Sequence, residues 1–380
     1  MNGHLIHSDA LTKYDFGPDH PMAPGRVKNT ISLSRALGVL DRLKMVEPPE
    51  IDLGLIRTVH DFDYVEAVQR AEPNPIFGLG TQDNPIFAGM HEVSARVAMA
   101  TVEAARQVWT GSCQRANNIS GGLHHAMPGF TSGFCIYNDL AIAIRWLLDN
   151  GCERVAYVDV DVHHGDGVQA IFYDDPRVLT VSLHETPATL FPGTGFPIET
   201  GGAGAKGSAV NVALPPGTSD AGWLRAFHAV VPDVLRAFKP TILVSQHGCD
   251  SHKVDPLADL NLSVDGQRAS YQAIAGLADE LCEGRWVSTG GGGYAAVEVV
   301  PRAWTHLLGV VSGHPVPPET VIPQAWRDQM GRWAPTVMTD HASADYVPFE
   351  DGISPNSRLD QAILATRRAV FPDLGLHPDL

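Results

Sequence analysis

The stretch that most constrains the fold of this chain is RVAYVDVDVHHGDG, residues 154–167. It begins with a β-branched apolar run and ends with three aspartates and two histidines. Nearly continuous apolar runs are typical of strands that are covered on both faces of a parallel sheet. Ionised carboxylates at the end of such a strand are costly to bury unless each has a partner. The rest of the chain must therefore supply those partners.

Short β-rich runs alternate with longer helical runs along residues 1–310. This alternation predicts right-handed crossovers and a mostly parallel sheet. Pro232 is expected to kink or split the helix in which it lies. The predicted strands are 117–122, 154–162, 177–184, 240–248 and 285–293, and the predicted helices are 92–110, 139–149, 220–238, 265–283 and 296–310.

Polar clusters stand at the ends of these predicted strands. Ligand sites of open parallel sheets form at the carboxyl ends of the strands. We therefore expect the clusters to meet at one edge of the sheet. They are His124 and His125, Asp159 to His163, Ser182 to His184, His247 to Asp250, and Gly290 to Tyr294.

Asp161 and His163 form a candidate two-ligand fork for a divalent cation. Residues two apart share one face of a strand, and Asp250 is the best candidate for a third ligand. Two carboxylates and one imidazole leave an open position for water, as a catalytic zinc site requires. The alternative is that Asp161 and His163 form a hydrogen-bonded pair in a polar loop.

The tandem histidines and the glycine run before Tyr294 also suggest catalysis. Neighbouring histidines rarely chelate one metal, so general bases that are each braced by a carboxylate fit better. A tyrosine delivered by STGGGGY could stabilise an oxyanion as a phenol donor. Alternatively, the two histidines are simply polar residues of a loop. The glycine run could instead bind a phosphate group, although the GxxxxGK[ST] pattern of such sites is absent.

The composition excludes several classes of protein. A formal net charge of −16 argues against a binder of nucleic acid or of an anionic membrane surface, since those carry basic patches. Five scattered cysteines without a CxxC pair argue against a disulfide framework and against a cysteine-ligated zinc site. The first 16 residues show no basic head and no apolar stretch as long as that of a signal peptide, and no run approaches about 18 apolar residues, so we expect neither a signal peptide nor a membrane span. We expect a protein of the reducing cytoplasm.

Five motifs resemble, in order and spacing, the zinc-dependent histone deacetylase superfamily. They are GLHHAMPGFTSGFCIYNDLAIA, VAYVDVDVHHGDGVQAIFYDDPRVLTVSLHE, LFPGTG, QHGCDSHKVDPLADLNLS and STGGGGY. With YDFGPDHPMAPGR and VIPQAW, the chain is most similar to the bacterial acetoin-utilisation deacetylases, which resemble class I histone deacetylases. The likeness covers roughly residues 4–325.

The resemblance implies the arginase/deacetylase fold, a single α/β domain with an eight-stranded parallel sheet flanked by helices. This catalytic domain would span residues 1–325, and residues 326–380 would form a C-terminal extension packed on its surface. The implied cofactors are zinc, with ferrous iron as the alternative, and structural potassium. The implied zinc ligands are Asp161, His163 and Asp250, and the implied catalytic residues are His124 and His125, oriented by Asp159 and Asp166, together with Tyr294.

Substrate and potassium sites are implied in the same way. Asp83 matches a rim carboxylate that holds the backbone amides of a peptide, and Arg26 would lie in an inner channel for acetate. Leu123 stands where some relatives carry a rim tryptophan, which bears on substrate selection. The acyl tunnel would be lined by Gly133, Phe134, Phe191 and Leu257. One potassium site would use Asp159, Asp161, His163, Ser182 and Leu183, and a second would use Phe172, Asp175 and Val178.

The implied reaction is removal of the acetyl group from acetyl-lysine in a protein or peptide, with release of acetate. The resemblance suggests a role in acetyl-CoA metabolism, with an acyl-CoA synthetase as the acetylated partner; it leaves the oligomeric state open. An acetylpolyamine amidohydrolase is an alternative, although Asp83 favours a peptide backbone. A binuclear manganese ureohydrolase would need a second metal site, but only Ser251 and His252 follow Asp250. An inactive acetyl-lysine-binding scaffold could have lost the histidine pair or the tyrosine, which are all present.

Overall fold

The computed structural model of the chain describes residues 3–379. Its strands are β1 (Gly3–Ile6), β2 (Lys44–Val46), β3 (Arg115–Asn118), β4 (Val155–Asp159), β5 (Val178–Glu185), β6 (Ala209–Leu214), β7 (Ile242–Gln246) and β8 (Trp286–Thr289). All of them pair in parallel in one eight-stranded sheet, in the order β2-β1-β3-β8-β7-β4-β5-β6.

Helices connect the strands and cover the sheet. They are α1 (Gly25–Ala36), α2 (Leu53–Ile56), α3 (Phe62–Arg70), α4 (Met90–Trp109), α5 (Asp139–Asp149), α6 (Asp166–Phe172), α7 (Asp220–Phe238), α8 (Val264–Leu281), α9 (Val300–Val311), α10 (Gln324–Met330) and α11 (Arg358–Val370). Short 3-10 helices lie at Asp9–Lys13, Leu40–Arg42, Pro75–Phe77, Phe349–Asp351 and Phe371–Leu374.

Alternate residues of the central strands enter two apolar cores on opposite faces of the sheet. In β4, Ala156 and Val158 belong to one core, whereas Val155 and Tyr157 belong to the other. Helices α1, α7, α8 and α9 contribute to the first core, and α3, α4 and α5 contribute to the second. Because both faces are covered, β4 is buried along its whole length. This explains its continuous apolar sequence.

The register of the sheet brings the polar strand ends together. Asp159, the last residue of β4, pairs with Ser182 in β5 and with Gln246 in β7. On the other side of β7, β8 pairs with β3. The loops that follow these strands therefore leave the sheet at one edge. The predicted α/β fold with an eight-stranded parallel sheet is confirmed.

Four of the five predicted strands run too far at their carboxyl ends; the exception is 177–184, since β5 continues to Glu185. β4 ends at Asp159, so Asp161 and His163 lie in the following loop, and the strand-face argument for their proximity is wrong. The amides of these two residues donate to the carboxylates of Asp159 and Asp161 at 3.1 and 3.0 Å instead of to a neighbouring strand. β8 likewise ends at Thr289, before the glycine run, and α9 begins at Val300.

Pro232 does not split its helix. α7 runs unbroken from Asp220 to Phe238 with Pro232 inside it. An internal proline removes one backbone hydrogen bond. Buried residues on both sides, such as Val230 and Val234, hold the helix against the core.

The predicted C-terminal extension contains a helix, α11, that its sequence does not indicate. α11 packs against β6 and α7, and its residues Ile363 and Val370 belong to the first core. The boundary proposed between residues 325 and 326 falls inside α10, whose helix spans Gln324–Met330. The division into a catalytic domain and an extension stays a prediction.

No helix in the described part of the chain combines the length and the apolar character that a membrane span requires.

Candidate metal centre and active site

Three buried side chains come together at the carboxyl edge of the sheet. Asp161 and His163 lie in the loop after β4, and Asp250 lies in the loop after β7. His163 Nδ1 is 3.1 Å from Asp161 Oδ1 and 3.2 Å from Asp250 Oδ2. One ligand atom of each residue lies within 4.8 Å of the others. The structure thus brings the sequence-predicted ligands together, and residues 3–379 contain no second cluster of this kind.

The surroundings of these ligands fit a divalent cation. Asp161 Oδ2 accepts hydrogen bonds from Gln246 Nε2 at 2.7 Å and from the Gly292 amide at 2.8 Å. Asp250 Oδ1 accepts one from the Val162 amide at 3.0 Å. These neutral donors orient the carboxylates without neutralising them. Burial, and then repulsion from Asp161, raise the pKa of Asp250 to about 6. A cation would relieve that repulsion, and zinc accepts carboxylate and imidazole ligands.

Two glycines leave room for the carboxylates. A Cβ at Gly248 would lie 1.9 Å from Asp161 Oδ2, and one at Gly292 would lie 1.9 Å from Asp250 Oδ2. Side chains at either position would therefore displace a candidate ligand. The glycine run of STGGGGY allows close approach of the backbone to a buried carboxylate, which is a common use of glycine.

The tandem histidines lie beside the candidate metal site, and each faces its own carboxylate. His124 Nδ1 donates to Asp159 Oδ2 at 2.7 Å, and His125 Nδ1 donates to Asp166 Oδ1 at 2.6 Å. The two ring centroids are 4.0 Å apart. A carboxylate at Nδ1 fixes the tautomer and leaves Nε2 available for proton transfer. His124 Nε2 is 4.0 Å from Asp161 Oδ1, so the pair borders the candidate ligands.

The pKa values of the two imidazoles are shifted in opposite directions. Burial by itself would lower the pKa of His124, but the charges of Asp159 and Asp161 outweigh it and raise the value to about 9. Burial, followed by the charge of His124, lowers the pKa of His125 to about 4. The two imidazoles of the pair therefore differ in their affinity for a proton.

An apolar tunnel of about 220 Å³ reaches these groups from the surface. The Phe191 ring centroid is 5.0 Å from that of His125, and the Phe134 centroid is 5.8 Å from that of Tyr294. Asp83 is exposed at the mouth. Such a slot suits an uncharged aliphatic chain. The lining residues are Asp83, His125, Gly133, Phe134, His163, Leu190, Phe191, Leu257 and Tyr294.

Tyr294 lines this tunnel and a smaller cavity behind it. Its amide donates to Asp255 Oδ2 at 2.7 Å, and burial raises the pKa of its phenol well above the usual value, so the hydroxyl remains a donor. Arg26 is buried next to it, with its guanidinium carbon 5.2 Å from the Tyr294 ring centroid. Arg26 Nε donates to the Gly293 carbonyl at 2.6 Å. Arg26 lines a third small cavity, which shares Gly291 with the second.

Leu123 does not lie at the rim, so that predicted location is wrong. It is buried in the second core and lines the small inner cavity. The reason is that Asp139 accepts hydrogen bonds from the Gly122 and Leu123 amides, which draws this part of the loop inward.

The predicted potassium ligands lie in two places. Asp159 and Ser182 are paired in neighbouring strands, and Leu183, Asp161 and His163 lie close by in the sequence. In the turn between α6 and β5, the Asp175 amide donates to the Phe172 carbonyl at 3.0 Å, and the Val178 amide donates to the Asp175 carbonyl at 3.1 Å. These contacts do not test cation binding, and both sites stay predictions.

Sequence reasoning misses several residues that support the site. Gln246 bonds to Asp161, Tyr157 donates its hydroxyl to Asp159, and Asp255 accepts from the Tyr294 amide. Asn138 and Asp139 bond to the histidine loop. The IYND segment stands inside one of the family motifs, and that position was the only signal that could have pointed to Asn138 and Asp139.

These features define the class of the protein as a hydrolase with an α/β fold. They are a candidate metal site for one ion, two Asp–His pairs and an apolar tunnel, all at the carboxyl ends of parallel strands. Residues 20–311 match the histone deacetylase domain, and the chain belongs to the histone deacetylase family.

Three bacterial relatives cover most of the chain, and each is named acetoin utilization protein AcuC. The protein of Bacillus subtilis (strain 168) is 38% identical over 349 residues, which are 89% of this chain and 90% of that protein. The protein of Staphylococcus aureus (strain MSSA476) is 36% identical over 358 residues, 92% of this chain and 90% of that protein. The protein of Staphylococcus xylosus is 35% identical over 337 residues, 87% and 86% respectively.

Proposed function

We propose that this protein hydrolyses the amide bond of acetyl-lysine in a protein or peptide and releases acetate. The observation that supports this most is the position of the Asp161, His163 and Asp250 cluster next to the His124–His125 pair, at the inner end of an apolar tunnel. A narrow apolar tunnel accepts the uncharged acyl-lysine stem and disfavours the charged amine of free lysine.

The side chains have separate tasks in this proposal. Phe134 and Phe191 bind the aliphatic stem and exclude water from it. Tyr294 donates a hydrogen bond to the acetyl oxygen as negative charge develops there. The His124–His125 pair accepts a proton from the attacking water and delivers one to the departing amine. Asp159 and Asp166 hold the two imidazoles in the required tautomers.

Asp161, His163 and Asp250 would hold the metal, which we propose to be zinc, with ferrous iron as the alternative. When bound, such an ion supplies Lewis-acid chemistry that polarises a carbonyl and makes water a stronger nucleophile at neutral pH. Arg26, beyond Tyr294, would attract the acetate product into the inner cavity.

The substrate is a peptide segment in our proposal because Asp83 stands exposed at the tunnel mouth, where its carboxylate can accept hydrogen bonds from backbone amides. The curated relatives are named acetoin utilization proteins. We therefore propose a role in acetyl-CoA metabolism in the cytoplasm, with an acetylated acyl-CoA synthetase as the partner. All five cysteines are free and buried, which suits a reducing compartment.

The contacts of His252 disfavour a binuclear ureohydrolase. Its Nε2 donates to Asp340 Oδ2 at 2.8 Å, and its Nδ1 accepts from the Val254 amide at 3.2 Å. Both ring nitrogens are thus engaged in structural hydrogen bonds, and neither is free for a second metal.

The test is acetate release from an acetyl-lysine peptide by protein reconstituted with zinc or ferrous iron. We expect turnover that a hydroxamate chelator abolishes, one metal ion per chain by elemental analysis, and much slower turnover of acetylspermidine. Faster turnover of acetylspermidine would reassign the protein to the polyamine amidohydrolases. Two manganese ions per chain would support the ureohydrolase, and peptide binding without acetate release would support the scaffold.

A further inference from the structure

Two fully buried residues at the start of α5 form hydrogen bonds with the loop of the tandem histidines but have no part in the proposed chemistry. Asn138 is the N-cap of α5, and Asp139 is its first residue. Burying a carboxylate and an amide is costly unless their hydrogen bonds are satisfied. The partners of these two side chains therefore indicate what they are for.

Asp139 holds the loop just before the histidines. Its Oδ1 accepts from the Leu123 amide at 2.8 Å, and its Oδ2 accepts from the Gly122 amide at 3.0 Å. Oδ2 also accepts from the Thr101 hydroxyl at 2.6 Å, which ties the carboxylate to α4. The main chain that leads into His124 is thereby fixed to two helices.

Asn138 holds the loop on the other side of the pair. Its Nδ2 donates to the carbonyls of His124 at 3.2 Å and Ala126 at 3.1 Å. Its Oδ1 accepts from the Ala141 amide at 3.0 Å and so caps α5. One side chain thus joins the helix start to the backbone of the histidine pair.

His60 is a third residue that fixes the loop of the tandem histidines through hydrogen bonds. The Asn138 amide donates to His60 Nε2 at 2.9 Å, and His60 Nδ1 donates to the Met127 carbonyl at 3.0 Å. Burial lowers the pKa of His60 to about 4, so the ring is neutral and Nε2 can accept. The imidazole therefore links the α5 N-terminus to the residue that follows Ala126.

The packing around the loop leaves little room for displacement. Gly122 has a φ of 97°, and a Cβ there would lie 2.3 Å from the Gly290 carbonyl oxygen. A Cβ at Gly167 would lie 2.5 Å from the carbonyl oxygens of both His124 and Ala126. The hydrogen bonds that Asn138 donates and Asp139 accepts thus act on a segment that already has close neighbours on two sides.

We infer that Asn138 and Asp139 are positioning residues that set where the His124 and His125 imidazoles stand relative to the reacting amide. This inference rests on the proposed deacetylase function. Misplacement of a catalytic group by about 1 Å can lower a rate on the order of 100-fold. Neither residue lines the acyl tunnel, so both should act on kcat rather than on KM.

Asn138→Asp is the sharpest variant because it keeps the size and the helix cap. Aspartate caps helices as well as asparagine does, but its second oxygen would face the two carbonyls to which Nδ2 donates. We expect kcat for an acetyl-lysine peptide to fall on the order of 100-fold, with unchanged KM and metal content. Asn150→Asp, at the exposed C-cap of the same helix, is the matched control; it opposes the helix dipole but should keep kcat.

A second pair of variants acts through Asp139. Thr101→Val removes the hydroxyl that donates to Asp139 without changing the volume much, whereas Thr101→Ser keeps the hydroxyl. We expect kcat to fall by roughly ten-fold for the valine variant, as for the loss of a buried hydrogen bond, and to stay near wild type for serine. This pair also tests the inference if Asn138→Asp fails to fold.

Proton NMR separates this inference from the proposed function. The Nδ1 protons of His124 and His125, bonded to Asp159 and Asp166, should resonate far downfield. Asn138→Asp should shift both signals, and Asn150→Asp should shift neither. A wild-type protein that releases no acetate contradicts the proposed function alone. Unchanged signals and unchanged kcat in Asn138→Asp and Thr101→Val, or a loss of activity that only tracks loss of metal or of folded protein, would overturn the inference.

Discussion

The hydroxyl group of Tyr294 is the proposed hydrogen-bond donor to the acetyl oxygen. Tyr294→Phe keeps the ring that lines the tunnel and contacts Phe134, but it removes the phenol donor. We expect kcat to fall on the order of 100-fold or more, as for the loss of other oxyanion donors. Metal content and KM should stay close to wild type. Acetate release combined with elemental analysis checks this, and full activity of the variant would contradict the role of Tyr294.

Gly292 lies where even a methyl group should disturb the candidate metal site. Its Cβ would lie 1.9 Å from Asp250 Oδ2 and 2.9 Å from Asp161 Oδ2. We expect Gly292→Ala to bind zinc at least about ten-fold more weakly, since disturbing the groups that orient metal ligands costs that much in other sites. Gly276→Ala is the control because it lies on α8 with open space around its Cβ. It should stabilise the helix by up to about 1 kcal/mol without changing zinc affinity, which isothermal titration calorimetry measures.

Residue types could be predicted from the sequence more reliably than residue positions. Asp161, His163 and Asp250 were identified from donor chemistry and motif, and they do come together. The predicted geometry of Asp161 and His163, alternate positions on one strand, is wrong because their amides bond to aspartate carboxylates after β4 ends. The resemblance predicts a rim location for Leu123, since the sequence does not reveal that Asp139 accepts a hydrogen bond from its amide. Local bonds between side chains and backbone decide the first outcome, and a contact between residues 16 apart in the chain decides the second.

At the scale of an element, the segment from Leu190 to Glu199 carries Phe191 over the tunnel. Glu199 anchors it: Oε1 accepts from the amides of Gly195 at 2.8 Å and Phe196 at 2.9 Å, and Oε2 accepts from Gln169 in α6 at 2.8 Å. We expect Glu199→Ala to raise KM for an acetyl-lysine peptide about five-fold by loosening this segment, since each lost bond to a charged group costs about 1.5 kcal/mol or more.

Glu199→Gln is the matched variant, because its remaining oxygen can still accept from the Gly195 and Phe196 amides. Steady-state kinetics should show an intermediate KM for the glutamine variant and a smaller change in kcat for both. A fall in kcat with an unchanged KM would contradict a role for Glu199 in holding the tunnel wall.

Helices with a broad apolar face were the elements best predicted from the sequence. The predicted ranges 139–149 and 220–238 coincide with α5 and α7. α11 was missed because its buried face includes Asp360, Thr366 and Arg367 as well as Ile363 and Val370, which hides the apolar period. Four of the five predicted strands end too late because hydrogen bonding to a neighbour, not apolar character, decides where a strand ends.

At the scale of the whole molecule, Asp340 joins the chain that follows α10 to the loop after β7 and to helices α8 and α9. Its carboxylate accepts from His252 at 2.8 Å and from the Val264 amide at 3.0 Å, and it pairs with Arg302 at 2.8 Å. Burial opposes ionisation, but the hydrogen bond from His252 and the charge of Arg302 outweigh it and hold the pKa of Asp340 well below its usual range. Asp340→Asn should lower the free energy of unfolding by about 2 kcal/mol.

The pH dependence of this loss has a definite sign. A carboxyl group whose pKa is lower in the folded state stabilises the protein above its unfolded pKa, about 3.9, and loses that contribution as pH falls. The difference in Tm between the wild type and Asp340→Asn should thus be constant near neutral pH and shrink below about pH 4. Asp345→Asn, exposed in the same segment, should leave Tm unchanged. A difference that grows in acid would contradict this assignment.

The charge of the molecule around the tunnel mouth predicts which peptides it prefers. A cavity of about 440 Å³ beside the tunnel shares Asp83, Phe134 and Leu257 with it. Its charged lining residues are the carboxylates of Asp19 and Asp83. If the substrate is an acetylated peptide, an arginine next to the acetyl-lysine should give about five-fold higher kcat/KM than a glutamate, because exposed pairs contribute up to about 1 kcal/mol.

Two comparisons isolate the contribution of Asp19 to this preference. Asp19→Asn should lower the ratio of kcat/KM between the arginine and glutamate peptides, whereas Asp41→Asn makes the same charge change outside this cavity and should leave the ratio unchanged. Salt should lower the wild-type ratio as well, since exposed charges are screened over about 10 Å at 0.1 M. A ratio that resists both salt and Asp19→Asn would mean that packing, not charge, selects the neighbouring residue. The apolar walls formed by Phe16 and Pro85 would then be the surface to alter.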